Sequence, residues 1–444
     1  MWFAPLGLPK EAQPALAIGC LMVVLWATDF LPHALTGLIG CYLLWSLGAG
    51  PFSTAFGGFA HPAAWFVFAA GLFGLMTTKS GLARRLAYLV MGRLGVSYPR
   101  LVLSFVLTSF VLNFLVPSGV ARVIILAGIA LGVVKSLGWG PETLSARGLF
   151  VILTASSTLF DKMMLTGGAA IVAQGIMEKI GQVPVYWSLW FFAHLPTHLL
   201  SILACWGITL WLFPAEKKGH RPDAQFLKAE LQQMGAWGAA EKRCAIFLLA
   251  APAFWMTDFL HHLRPAMIAL GIGLAACLPG LGVLEPKELK RFDFLPFIFT
   301  ASALSLGDAL AHTGALNLLT QAITPWWQPL APSFFSSAVV LYWSGFLYHL
   351  LVPSDPTTVA TSMPIVMNFA LAHKWDPLTS GLVWTLAAAG KIFIYQSGVA
   401  IAGYSFGYFQ TRDFLKVGLC LTVAEFLILL LLLSWYWPLI GLLR

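Results

Sequence analysis

Leu115-Val-Pro-Ser-Gly-Val-Ala-Arg122 returns later in the chain as Leu351-Val-Pro-Ser-Asp-Pro-Thr-Thr358, and each copy lies midway along about 35 mostly apolar residues. Proline and glycine at the centre of so long an apolar run interrupt a helix there. Each run therefore reads as a hairpin, over 101–134 and 335–370, that enters a bilayer, turns at Ser118 or Ser354 and leaves by the same face. A single copy would read equally well as a proline kink. Two copies in register favour a shared, interrupted element.

Outward from these tips, further matches keep the same order. Trp26-Ala-Thr-Asp-Phe-Leu31 recurs as Trp255-Met-Thr-Asp-Phe-Leu260, and the apolar stretch from Trp65 to Lys79-Ser-Gly81 parallels that from Phe297 to His312-Thr-Gly314. Gly168-Ala-Ala-Ile171 matches Gly398-Val-Ala-Ile401, and all the separations stay between 229 and 236 residues. Collinear matches at one offset mark an internal duplication.

Composition sets the solvent. The chain is 59% hydrophobic and 10% charged, whereas soluble domains carry about a quarter charged residues. Runs at 15–31, 185–213 and 417–436 reach the ~20 residues that span a bilayer. The first is flanked by Lys10 and Glu11 with no small-residue cleavage site behind it, so it reads as a membrane helix and not a leader. The net charge of +8 resides in short loops between apolar runs, which makes it a topology signal and gives no reason to expect a nucleic-acid partner. The six cysteines are scattered without paired spacing and read as packing residues.

The basic loops set orientation. Lys79, Arg84, Arg85, Arg93 and Arg100 follow the third apolar run, but the equivalent stretch 313–334 has no Lys or Arg. The other basic segments are the linker (Lys217, Lys218, Arg221, Lys228, Lys242, Arg243) and the group Lys287, Lys290 and Arg291. All three lie in the cytoplasm only if each half crosses the membrane an odd number of times, the condition for inverted-topology repeats. The expected fold is an all-α polytopic membrane protein with repeats at 1–213 and 244–444, each of about five transmembrane helices plus one re-entrant hairpin, with broken helices at mid-membrane. Ten spans leave both termini outside, unless one further helix precedes the sequence. The cytoplasmic linker 214–243 should carry a short amphipathic helix at 224–234, and 81–95 an interfacial helix with its basic face toward headgroups.

Interrupted helices place the functional site, because only there does backbone face a solute without facing lipid. The first interruption supplies Ser118, Gly119, Val120, Ser354, Asp355, Thr357 and Thr358, where a following helix N-terminus favours an anion. Arg122, one turn on, is placed to grip a carboxylate or sulfate in a bidentate pair. The second interruption, at Thr166-Gly167-Gly168 and Gln396-Ser397-Gly398, exposes carbonyls suited to a small cation; Gly168, Ser397 and Gly398 are assigned to the anion and Gly167 and Gln396 to the coupling ion. Ser118, Ser354, Asp355, Lys162 and Lys391 complete the coupling set, since ionisable groups inside spans are functional by default. Asp161 is left unpaired with its sequence neighbour Lys162. His194 and His198 have i, i+4 spacing but no third ligand, so no metal site is assigned.

These residues resemble the divalent anion:sodium symporter family of dicarboxylate, citrate and sulfate carriers and plastid-type oxoglutarate/malate exchangers. The likeness runs from about Ala15 to the C-terminus through Trp26-Ala-Thr-Asp-Phe-Leu31, Lys79-Ser-Gly-Leu-Ala-Arg-Arg85, both tips, Tyr395-Gln-Ser-Gly398, Gly407-Tyr-Phe409 and Thr411-Arg-Asp413. In that family each tip reads Ser-Asn-Thr and frames substrate and sodium sites. Both serines carry over here, and the asparagines and threonines do not, although Thr357 and Thr358 lie near. The resemblance implies a homodimer, multi-pass in the inner membrane, with sodium as coupling ion and no other cofactor. Lys162 and Lys391 offer a physical alternative: fixed positive charge in place of sodium, giving exchange, or proton coupling through Asp355.

The leading expectation is thus a secondary active transporter of small divalent anions, four-carbon dicarboxylates such as succinate, malate and tartrate, or sulfate, working by alternating access. A cation/proton antiporter or arsenite-type carrier would instead use Asp355 and Asp161. A remote third reading, an intramembrane metal-dependent enzyme, would use His194, His198 and Asp161.

Overall fold

The repeated Trp-x-Thr-Asp signature is a helix terminator with a buried tether. In a computed structural model, which describes residues 9, 12–95, 97–116, 118–216, 225–290, 292–330, 333–388 and 390–443, Trp26 closes α1 (Ala12–Thr28) and its indole N–H donates to His33 O at 2.9 Å, where α2 (His33–Ser46) begins. Trp255 closes α12 (Ala239–Met256) and donates to Pro265 O at 3.2 Å, the start of α13 (Pro265–Ala275). Each buried N–H thus finds the partner it needs across its own turn.

The helices between repeat likewise. Gly81 and Gly314, at φ 75° and 71°, part α3 (Pro62–Ser80) from α4 (Leu82–Leu94) and α14 (Leu295–His312) from α15 (Ala315–Trp327). That left-handed conformation suits glycine. Next come α5 (Tyr98–Leu115) and α6 (Gly119–Leu137), then α7 (Leu144–Leu159) and α8 (Gly168–Lys179); their counterparts are α16 (Phe334–Leu351), α17 (Asp355–Ala372), α18 (Pro377–Ala387) and α19 (Gly398–Tyr404). Thr143 caps α7 through Ala146 N at 3.4 Å, and Asp376 caps α18 through Thr379 N at 2.9 Å, each satisfying a free first-turn donor. After α8 come α9 (Trp187–Ala193), α10 (Leu195–Leu212) and, in the linker, α11 (Gln225–Gln233), and α20 (Thr411–Leu431) follows α19.

Contacts between the halves come in matching pairs. α2 packs on α14 as α13 packs on α3; α8 packs on α17 and α18 as α19 packs on α6 and α7. The helix that follows each tip therefore rests on the helix that follows the other half's break. α10 and α20 pack together, and Arg147 of α7 forks onto Asp413 of α20, with its terminal nitrogen 2.6 Å from Oδ1.

The described residues contain helices and no strand, an all-helical membrane-type protein. The span count differs from ten. Among the described residues four helices are by length and composition able to cross a bilayer, namely α6, α10, α16 and α20 with its continuation to Leu439, and a fifth if α3 and α4, bent by 71°, count as one. The reason is local. The apolar run 185–213 breaks at His194, where Pro196 starts α10, and α1 and α13 have only 17 and 11 residues. The linker helix is Gln225–Gln233, and Lys217, Lys218 and Arg221 of the linker, Pro117 and Arg291 lie outside the described residues. α4 is fastened to this linker by Arg85, which meets Glu241 at 2.7 Å and the carbonyls of Gly235 and Met234 at 2.9 and 3.0 Å.

Candidate functional site

The two tips are built differently around the same serine. Ser118 caps α6, its Oγ accepting from Ala121 N at 3.3 Å. Ser354 holds φ at 76°, a region costing a non-glycine residue of order 1 kcal/mol or more. It is held there by its N–H on Gln396 O at 2.9 Å and by Pro356 in the first turn of α17. Gln396 in turn braces its own break. Its Oε1 accepts from Ile392 N and Phe393 N at 2.9 and 2.8 Å, and its Nε2 donates to His349 O at 3.2 Å.

Close approach explains Gly119 and Gly167. A Cβ on Gly119 would meet Val399 Cγ2 at 2.7 Å, and one on Gly167 would fall 1.6 Å from Asp161 O. Gly168 faces Pro356 Cγ at 3.5 Å, and Gly398 faces Val120 Cγ2 at 3.9 Å. Tip one thus touches break two, and tip two touches break one.

Three buried ion pairs surround these breaks. Arg122, fully buried, bonds Asp161 Oδ1 at 2.8 Å, Val116 O at 2.6 Å and Ser157 O at 3.0 Å. Lys162 Nζ lies 2.5 Å from Glu425 Oε1 and donates to Leu386 O at 3.1 Å, near the C-terminal end of α18. Lys391 Nζ lies 2.5 Å from Asp355 Oδ2, whose Oδ1 is 3.3 Å from His349 Nε2. His349 Nδ1 and Thr358 Oγ1 are 2.8 Å apart, and that hydroxyl also reaches Val352 O at 2.9 Å. Thr357 is buried with its hydroxyl unpartnered, and Ser397 caps α19 through Val399 N at 3.2 Å.

A cavity of about 480 Å³ opens beside tip one, lined by Ser118, Gly119, Ala121, Asp161, Thr166 and Gly168 together with α3 and the segment 292–297. The first turns of α6 and α8 both end on it. A second cavity, about 340 Å³, is lined by Asp29, His33, Ser354 and Pro356. Asp293 and Pro296 border both cavities, so each tip serine faces its own chamber across a shared rim.

One site residue, Arg122, is placed otherwise than the sequence suggests. Arg122 is spent on Asp161 and backbone carbonyls and does not line either cavity. Asp161 and Lys162, which neighbour each other in sequence, go to separate partners. Glu425, His349 and Asp293 escaped the sequence reading. Glu425 carried a signal, a carboxylate midway along a strongly apolar helix. His349 lies two residues outside the repeated motif, and Asp293 reads as an ordinary loop residue. His194 and His198 are buried, with His194 stacked on Trp190 at 5.3 Å; among the described residues no group of three potential metal ligands forms.

Comparison with known proteins gives the same class. The family described as "Sodium:sulfate symporter transmembrane region" matches residues 1–443. A protein of Cupriavidus necator named only as a membrane protein is 24% identical, over 98% of this chain and 89% of its own length. The citrate/succinate antiporter of Escherichia coli K12 is 23% identical over 85% of this chain and 79% of its own. The L-tartrate/succinate antiporter of the same strain is 23% identical over 87% and 80%. With the match running essentially end to end, the chain belongs to the sodium:sulfate symporter transmembrane family and is a membrane transporter of anions, not an enzyme.

Proposed function

We propose that this protein exchanges small dianions, four-carbon dicarboxylates such as succinate, malate and tartrate or else sulfate, across the bacterial inner membrane by alternating access without bound sodium. One observation carries the reading. The Lys162 ammonium is held by a carboxylate and by a carbonyl near a helix end, Glu425 Oε1 at 2.5 Å and Leu386 O at 3.1 Å, and Lys391 is held by Asp355 at 2.5 Å. Oxygen sets of that kind suit a small cation at a broken helix. Here tethered ammonium groups occupy them, so the positive charge is fixed to the chain and cannot leave with the solute. A carrier whose charge is fixed in this way returns most readily loaded, which is exchange.

The anion itself is assigned to the first turns of α6 and α8, whose free N–H groups and positive dipole ends meet at the larger cavity. The paired cross-half contacts of α8 on α17 and of α19 on α6 support an inverted duplication, with tips and breaks moving together against the remaining helices. The family resemblance supports a homodimer. A second reading has one observation in its favour. Among the described residues the larger cavity is lined by the carboxylates of Asp161 and Asp293 but by no lysine or arginine, which suits a cation/proton antiporter.

Thermal unfolding in detergent separates the two, because a ligand that binds only the folded form raises the midpoint. Succinate, tartrate or sulfate should stabilise the protein at concentrations where chloride salts of monovalent cations do not. Ser118→Ala and Ser354→Ala should each weaken dianion exchange in proteoliposomes by about tenfold or more, the worth of one hydrogen bond to a charged group at about 1.5–3 kcal/mol. Normal exchange by both variants removes the assigned site.

A further inference from the structure

Around the two breaks three cations, Arg122, Lys162 and Lys391, face three carboxylates, Asp161, Asp355 and Glu425. Their formal charges cancel. A dianion bound beside them leaves the buried site with two uncompensated negative charges, and buried charge without compensation is costly.

The structure holds a place where one more positive charge can enter. Beside Glu425 and Lys391, one member of each of two ion pairs, lies a polar cavity of about 10 Å³, lined among others by Lys391, Glu425, Thr158 and Thr422. That is about the room one water needs. The Thr422 hydroxyl is buried without a hydrogen-bond partner, so a water there gains Lys391, Glu425 and Thr422, the roughly three partners usual for buried water. The other groups within electrostatic reach of Glu425 are Tyr342 on α16 and Cys205 on α10. Tyr342 already gives its hydroxyl to Thr422 O at 2.9 Å. His194, where α10 begins, is nearer Lys162.

We propose that this cavity holds one water and that Glu425 takes up a proton through it when the dianion loads, making the exchange proton-linked. Of the three carboxylates Glu425 suits the role best. Asp161 is held by a guanidinium, which does not give up its proton. Asp355 has both Lys391 and His349. Among the described residues Glu425 has one ion-pair partner, Lys162, which it shares with Leu386 O. In the transfer an N–H bond of Lys391 breaks as its proton passes to the water, and an O–H bond forms on Glu425 as the water passes on one of its own. Lys391 then regains a proton from the aqueous medium by way of Asp355, beside the chamber at Ser354 and Pro356. The net change is one aqueous proton placed on Glu425.

This rests on the exchange reading above, and two measurements keep the failures apart. Succinate counterflow in proteoliposomes should quicken several-fold as the medium goes from about pH 8 to about pH 6, a range in which buried carboxyls titrate. Glu425→Gln, which mimics the protonated acid, should exchange without that response; a flat wild-type profile, or an unchanged slope in Glu425→Gln, overturns the proposal. Infrared difference spectra of purified protein, acid minus neutral, require no transport. The band of a protonated carboxylic acid should vanish in Glu425→Gln and shift in Glu425→Asp, and a band of full size and unchanged position in both variants overturns the proton site. Complete absence of counterflow in wild type, at any pH, sinks the transport reading, while the infrared band still decides the proton site.

Discussion

Replacing Lys162 by alanine should turn a sodium-indifferent protein into a sodium-responsive one. The change removes an ammonium from between Glu425 Oε1 at 2.5 Å and Leu386 O at 3.1 Å. Glu425 is only 3% exposed, and stripping the partner from a buried ion pair costs about 3–5 kcal/mol. The vacated volume keeps a carboxylate and a backbone carbonyl, both hard oxygen donors suited to a small hard cation. Sodium at about one hundred times its dissociation constant would return about 2.7 kcal/mol, most of the lower estimate of the loss. Choline, too large for the space of one lysine head, would return nothing. Thermal unfolding of the purified protein in matched sodium and choline chloride reads this directly. Lys162→Ala should unfold early in choline and recover by several degrees in sodium, while wild type unfolds alike in both. Equal unfolding of the variant in the two salts, or a sodium-specific gain in wild type, refutes the idea that the ammonium stands in for a coupling ion.

Arg122→Met should destabilise the protein by about 3–5 kcal/mol by stranding the Asp161 carboxylate, and Asp161→Asn added to it should restore part of the loss in a double-mutant unfolding cycle; loss of substrate binding with full stability would contradict the structural role. Single cysteines at the exposed positions Gln328 and Lys242, in a background lacking the native six, should react with an impermeant reagent from opposite sides of the membrane, and reaction from one side would break the inverted arrangement. Burial alone would raise the Glu241 carboxyl, but the bonds from Arg85 and the Gly238 amide, with the charge of Arg85, hold it below the ordinary range. Its contribution to the clasp between α4 and the linker is therefore full above the unfolded value of about 4.3 and is lost as pH falls through the lower folded one. Linker amides should exchange faster in Glu241→Gln than in wild type near neutrality and equally fast in strong acid.

The serine tips, the glycine breaks and the duplication were legible because each is a backbone event repeated at a fixed offset. Gly81 and Gly314 show this well, since a left-handed turn demands the same residue twice. Partner choice was not legible. Lys162 and Asp161 are sequence neighbours that diverge because the chain tightens into a single turn of 3-10 helix at 160–162, and Glu425 comes from a helix outside every repeated motif. The sequence count of ten spans and the smaller number of helices long and apolar enough to cross differ for a related reason. Apolar composition records burial against protein as readily as against lipid, and α8 is nearly all buried within the protein.

The exchange reaction itself puts the account at most risk. Proteoliposomes loaded with succinate should take up labelled succinate from medium free of sodium as fast as from medium containing it, because Lys162 and Lys391 already occupy the cation positions. Uptake that begins only when sodium is supplied would contradict that assignment.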